Sequence, residues 1–336
     1  MMIALVGAAV APFGAAGAQS SAGGHHSPAG AAAPGQWVRG EYTNPAGTRT
    51  YSLYLPSGYD ASKQHMLVVL LHGCTQDASD IARGTRLTSH ADRDGFIALL
   101  PEQPESANEK KCWNWYDPAH QARDGGEPSL IAGMTAKIMS DYRVDPERVY
   151  LAGISAGAAM ASLVAVAYPE TYASVAMHSG IPWHSATNVM AALGVMAKGL
   201  PDNEARVLGA EAAAAMGKGA RPIPGLVIHG GSDKVVNSAN GRGTAVLWSA
   251  MNRAAAGAPQ DTLHRPAASA GVENEYHYQR QTYETGRREV VEIRVEELGH
   301  AWSGGSREGT FTDERGIDAM TEALRFFARH PRNEPR

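Results

Sequence analysis

The chain is poor in cysteine, with two in 336 residues. Two thiols cannot build a disulfide scaffold or a four-thiolate zinc site. It also lacks a basic excess: 30 Lys and Arg stand against 34 Asp and Glu, a formal charge of −4. A dedicated nucleic-acid binder would show the opposite imbalance. Aromatic residues are scarce at 7%, and no stretch beyond the N-terminal residues is apolar enough for a membrane-spanning helix. What is abundant is glycine (37 residues) within a chain that is 43% hydrophobic and 19% charged. That composition supports a large core and excludes wholesale disorder.

The N-terminus divides into two short pieces. Residues 1–18 (MMIALVGAAVAPFGAAGA) are too short to span a bilayer. They end in Ala16-Gly17-Ala18, a small-residue cleavage pattern expected of a signal peptide on a secreted or periplasmic protein. Residues 19–36 are low-complexity Gly, Ala, Ser and Pro, expected to be a linker, with His25 and His26 read as a solvated pair. Residues 37–336 show no internal repeat or linker and are expected to form one domain, with RHPRNEPR as a frayed end.

Residues 37–43 and 47–55 alternate polar and apolar side chains, predicting half-buried antiparallel strands. MLVVLLHG (66–73), FIALLP (96–101), VYLAG (149–153), YASVAMHSG (172–180) and PGLVIHGGSD (224–233) are apolar runs that suit strands buried on both faces. Helical spacing recurs at 127–142, 156–168, 237–255 and 314–329, and strand patterns flank a turn at Thr285-Gly286. Such alternation predicts a doubly wound, mostly parallel sheet with helices on both faces. The Ala, Gly and Met-rich stretch 184–222 breaks the rhythm and is expected to arch over the edge where the strands end.

The strongest chemical signal is Gly153-Ile154-Ser155-Ala156-Gly157, a G-x-S-x-G between a predicted strand and a predicted helix. The turn is too sharp for side chains beside the serine, and it lifts the hydroxyl to the sheet edge. A serine hydroxyl needs a base, and in this context the order is Ser, acid, His. His300, in the loop GHAWSGG after the strand VVEIRVEEL, is the late histidine that fits. His229, His264, His277 and His330 fit less well. Asp233, after the strand at 224–230, is the expected acid, with Asp261 and Glu273 as distant fallbacks. The backbone N–H groups of Ala156 and Cys74 are the expected oxyanion donors. An even cysteine count in an exported protein points to a Cys74–Cys112 disulfide. Trp113, Trp115, Trp183 and Trp302 fall on loops after strands. Core packing accounts for any single one, but among four at least one is expected to face substrate. Lys110, Lys111, Arg123 and Lys234 could form a basic rim there.

LHGCTQ (71–76), CWNW (112–115), GGEPSLIAGM (125–134), GISAG, HSGIP (178–182) and GHAWSGG (299–305) together resemble the poly(3-hydroxybutyrate) depolymerase family of esterases. That family is similar in turn to feruloyl and acetylxylan esterases. The resemblance spans roughly residues 37–330. It implies an α/β-hydrolase fold, a triad on Ser155, Asp233 and His300, an oxyanion residue at Cys74, and chemistry without metal or cofactor. The implied partner is a polymeric or oligomeric ester, foremost a hydroxyalkanoate polyester, with neither nucleic acid nor membrane. The chain stops after its last expected core helix, where depolymerases of solid polyester usually append a binding domain. Poly(aspartic acid) hydrolases resemble the same family, so a polyanionic amide cradled by the basic rim is an alternative.

Overall fold

The structure is a computed structural model that describes residues 34–258, 267–284 and 286–333. The expected signal peptide, most of the expected linker with His25 and His26, Asp261, His264 and Thr285 lie outside the described residues.

In chain order the elements are β1 (Gln36–Asn44), β2 (Gly47–Leu55), β3 (His65–Leu71), α1 (Ala78–Gly84), α2 (Leu87–Asp94), β4 (Ile97–Pro101), α3 (Gly126–Asp141), β5 (Val144–Ile154) and α4 (Ala156–Ala167). There follow β6 (Ser174–His178), α5 (Val189–Lys198), α6 (Asp202–Ala215), β7 (Gly225–Gly230), α7 (Ala239–Ala255), β8 (Ala267–Glu273), β9 (Tyr276–Glu284), β10 (Val290–Val295) and α8 (Ala319–Arg329). The strands form one sheet in the order β1-β2-β4-β3-β5-β6-β7-β10-β9-β8. From β4 to β10 neighbouring strands are parallel, while β1 and β2 on one margin and β9 and β8 on the other pair antiparallel. This is the α/β-hydrolase architecture the sequence predicts.

Period-two alternation explains why the central strands read as unbroken apolar runs. In β3, Leu67, Val69 and Leu71 join the core that includes α3, α4 and α7, and Val68 and Leu70 join the opposite core with α1, α2 and α8. Each such fully buried side chain contributes about 1.5–3 kcal/mol. On the second face the Tyr150 and Phe327 rings stack 4.5 Å apart, fastening α8 to β5.

Several expectations need correction. Helices α1 and α2 were not legible, being short and carrying few apolar residues. The 184–222 stretch does not arch over the strand ends as a unit. Its helix α6 lies along α7, so close that a Cβ on Gly209 would meet the Leu247 carbonyl oxygen at 2.5 Å. Only α5 stays by the edge, where the Asn240 side chain donates to the Val195 carbonyl (2.9 Å). Residues 330–333 are docked rather than frayed: His330 is buried against Glu289 at 2.6 Å, and Arg332 reaches Glu147 at 2.6 Å.

Candidate active site

Ser155 sits between β5 and α4 with φ 56° and ψ −124°, a conformation that costs an L-residue about 1–3 kcal/mol. Its surroundings enforce it. A Cβ on Gly157 would lie 2.3 Å from the Leu71 carbonyl oxygen, and one on Gly153 would lie 2.5 Å from the Gly157 backbone. The elbow therefore closes only with glycine on both sides. The Ser155 N–H donates to the His178 carbonyl at 2.9 Å, tying the turn to the end of β6.

The structure brings the three distant residues together. His300 Nε2 is 3.0 Å from Ser155 Oγ, and His300 Nδ1 is 2.7 Å from Asp233 Oδ2. The other Asp233 oxygen accepts the N–H groups of Val235 (2.9 Å) and Val236 (2.8 Å). Burial alone would raise the Asp233 carboxyl, but hydrogen bonds from His229, His300 and the Val236 N–H outweigh it, so the carboxyl is held below the usual range. Because that carboxylate is an acceptor, His300 Nδ1 carries the proton, leaving Nε2 bare to accept the serine O–H. The arrangement can draw a proton from Ser155 as the hydroxyl attacks an electrophile. A Cβ on Gly230 would fall 2.3 Å from the Leu298 carbonyl oxygen, so a glycine there lets the acid strand and the His300 loop approach.

His178 holds the frame from behind. Its Nε2 accepts the Ser303 N–H (3.2 Å), its Nδ1–H faces Ser179 Oγ (3.1 Å), and its ring stacks on Trp302 at 5.0 Å. Burial above all pushes its pKa down to about 3, so it is a neutral strut. His229 is buried 3.5 Å from Asp233. Of the other candidates, His277 pairs with Glu297 on the surface (2.6 Å), and Glu273 is exposed on β8.

The loop after β3 faces the elbow. Cys74 and Cys112 are disulfide-bonded, and the Thr75 N–H donates to the Lys110 carbonyl at 2.6 Å. The Cys74 N–H donates to nothing among the described residues, and Ala156, as the first residue of α4, has no acceptor within its helix. Behind the loop lies a network the sequence did not disclose. The buried Glu127 carboxylate accepts the Asn114 N–H (2.7 Å) and side chain (2.6 Å) and the Gln103 amide, with Arg49 at 3.6 Å. A glutamate in the first turn of α3, followed by the apolar run Leu130–Met134, was the available signal.

The tryptophans turn inward. Trp113 is fully buried and donates to the His72 carbonyl (3.1 Å), so it offers no surface to a substrate. Trp115, Trp183 and Trp302 are also buried. The exposed aromatic is instead Phe311, 45% accessible, with its ring edge-on to His300 at 6.3 Å. It lies beyond the GHAWSGG motif, and only the folded loop reveals it. Arg123 is not on the rim: it pairs with Glu170 (2.6 Å) and donates to the Ala167 carbonyl at the far end of α4, roughly 18 Å from Ser155. Lys110, Lys111 and Lys234 keep side chains with no partner among the described residues.

Known proteins share this frame. The solved acetyl xylan esterase from Aspergillus awamori superposes with a TM-score of 0.67 at 19% identity, covering 87% of this chain and 99% of that one, a likeness of fold. Poly(3-hydroxyalkanoate) depolymerase C of Paucimonas lemoignei is 34% identical over 200 residues, 59% of this chain and 47% of that protein. Feruloyl esterase B of Neurospora crassa is 36% identical over 140 residues, 41% of this chain and 46% of that protein. The chain thus spans about half the length of these two curated relatives. Residues 49–260, which hold the elbow, the disulfide and Asp233, match the profile described as "Esterase PHB depolymerase", and the chain belongs to that family.

Proposed function

We propose that the protein is a secreted or periplasmic serine hydrolase that cleaves carboxylic esters through an acyl-enzyme. The hydrogen-bonded line from Ser155 through His300 to Asp233 carries this reading. Ser155 Oγ attacks the carbonyl carbon while its proton passes to His300 Nε2. The oxyanion rests on the N–H groups of Ala156 and Cys74. The intermediate collapses, His300 returns the proton to the departing alkoxide, and an acyl-serine remains. Water then attacks the acyl carbon, gives its proton to His300, and releases the acid as Ser155 is regenerated.

The substrate we favour is a hydroxyalkanoate polyester or its oligomers, supported by family membership and by the depolymerase relative. A plant-wall feruloyl or acetyl ester is the second reading, supported by relatives that include feruloyl esterase B and acetylxylan esterases. A polyanionic amide has weaker support, because Arg123 has left the basic rim.

The test is hydrolysis of short p-nitrophenyl acyl esters by the full chain and by Ser155→Ala. The variant should lose roughly 10⁴-fold or more in kcat. Equal rates would end the serine-nucleophile reading. Release of acid from polyhydroxybutyrate suspension, methyl ferulate, acetylated xylan and poly(aspartate) then separates the substrates.

A further inference from the structure

A cavity of about 510 Å³ lies away from Ser155, walled by Trp37, Arg39, Arg83, Arg86, Thr88 and Glu308 among others. Of its three arginines, Arg83 pairs with Asp80 (3.8 Å) and Arg86 with Asp318 (3.6 Å), which leaves Arg39 as the unpaired cation on the wall. Arg83 is fixed by the Glu308 carbonyl (3.1 Å) and Arg86 by the Gly304 carbonyl. Arg39 has neither hydrogen bond nor ion pair among the described residues. Trp37 is 44% accessible, whereas the other five tryptophans, at positions 113, 115, 183, 248 and 302, are buried. The Trp37 indole rests on the Tyr54 ring at 4.9 Å and leaves its remaining surface open beside the unpaired Arg39 guanidinium, so an apolar face and a cation stand within reach of one ligand.

Register sets their spacing. Trp37 and Arg39 are two apart on β1 and so share one face, about 6.8 Å apart along the strand. A sugar ring lying flat on the indole leaves a carboxylate on that ring within reach of the guanidinium fork. Arg39 pairs with Ser52 and Ser52 with Leu100, level with the end of β4, so the groove rises toward the edge that carries Ser155. Four inter-strand steps separate β1 from β5, roughly 19 Å. Glu308 on the groove wall lies three residues from Phe311, at most about 10 Å of chain, and Phe311 touches the His300 ring.

We infer that this groove binds an acidic oligosaccharide, with a uronate ring stacked on Trp37 and its carboxylate on Arg39, anchoring a polysaccharide beside the active site. The inference goes beyond the proposed hydrolysis and does not depend on which ester is cleaved.

The experiment uses the full chain carrying Ser155→Ala. It is titrated with a glucuronate-bearing xylo-oligosaccharide and with the same oligomer after reduction of the carboxyl to an alcohol. Trp37 is the exposed indole, so tryptophan fluorescence reads the groove. The acidic oligomer should quench it and bind roughly tenfold tighter than the reduced one, with affinity falling as salt rises. Trp37→Ala should abolish the quench, and Arg39→Gln should bring the acidic oligomer to the affinity of the reduced one. Arg39→Gln should melt at the parental temperature, Trp37→Ala should melt somewhat lower because it gives up the Tyr54 ring contact while staying folded, and both, with Ser155 restored, should cleave p-nitrophenyl acetate at the parental rate. Equal affinity for the two oligomers, unchanged binding by Trp37→Ala, or poly(aspartate) competing as well as the acidic sugar would overturn the assignment. Loss of hydrolysis with groove binding intact would touch only the esterase reading, and the converse only the groove.

Discussion

Two loops flank the Ser155 hydroxyl, and they are held in opposite ways. The elbow at Ser155 is shaped by its immediate neighbours: glycines 153 and 157 let backbone meet backbone, and any side chain there would collide. The loop at Cys74 has a local hydrogen-bonded turn, with the Gly73 N–H donating to the Gln76 side chain at 2.9 Å, but no such steric closure. It is held by the Cys112 bridge, by Lys110, and at one remove by the Glu127 network, all from residues far along the chain. Local steric closure gives a rigid turn that a short motif can announce. A loop held by tertiary ties is announced only by its scattered anchors, so damage to one anchor should loosen it without erasing the chemistry.

The largest effect is expected at Asp233, the proposed acid. Asp233→Asn should leave the loops in place yet cut kcat about 10⁴-fold by stabilising the wrong His300 tautomer; near-parental turnover would show that Asp233 does not orient the imidazole. At the elbow, Gly157→Ala forces a Cβ against the Leu71 carbonyl. We expect about 1–3 kcal/mol of destabilisation by denaturant titration, with roughly 10²-fold loss of kcat as the hydroxyl shifts. An unaffected variant would mean the turn is not sterically closed.

At the other loop, Cys74→Ala with Cys112→Ala should cost about 2–4 kcal/mol of stability, yet kcat should fall less than about tenfold, because the proposed oxyanion donor is a backbone N–H that alanine keeps. A drop as large as that of Gly157→Ala would erase the contrast. Counting free thiols in denaturant checks the bridge itself, with none expected before reduction.

The gentlest probe is pH, since each loop rests on a buried histidine. His72 sits at the root of the Cys74 loop, with its Nδ1–H on the Gly73 carbonyl (2.8 Å) and Nε2 accepting the Gln103 N–H (3.1 Å). Burial holds its pKa, like that of His178, below the ordinary histidine value. The unfolded chain therefore takes up a proton near pH 6.5 that the folded chain refuses, so stability is full above that pH and declines as pH falls toward 3. The slope should reach at most about 1.4 kcal/mol per pH unit for each histidine. Below about pH 4 the Asp233 carboxylate adds to the loss, its stabilisation being present above the unfolded carboxyl pKa and disappearing beneath it. Thermal melts from about pH 8 to 4 measure this, and His178→Asn should flatten the upper part of the curve. A melting temperature flat across that range in the parent would contradict the neutral-strut assignment.

The same division governs what could be read before the fold was known. Strand β3, the 149–154 half of β5, and β7 were legible because both faces are buried along an apolar run, whereas the polar first half of β5, with Asp145, Glu147 and Arg148, was not. Ser155, Asp233 and His300 were legible as candidates because each follows a strand and lies among glycines. The tryptophans were not, because a loop position does not say which way a ring points, and the interior claimed the indoles. Arg123 looked like a rim residue until the chain carried it to the far end of α4. Phe311 had no motif to mark it, yet it is the exposed aromatic beside the imidazole.

The amino-acid order by itself determined the layered sheet, the glycine-closed turn and the identity of the three proposed catalytic side chains. Hydrophobic period and steric closure act over a few residues and are written locally. The tertiary structure alone decided the meeting of Ser155 with His300, the inward turn of the tryptophans, and the groove that joins β1, α1, α2 and the 304–309 loop. Those depend on which distant surfaces share one side of a sheet, and packing of the whole chain sets that.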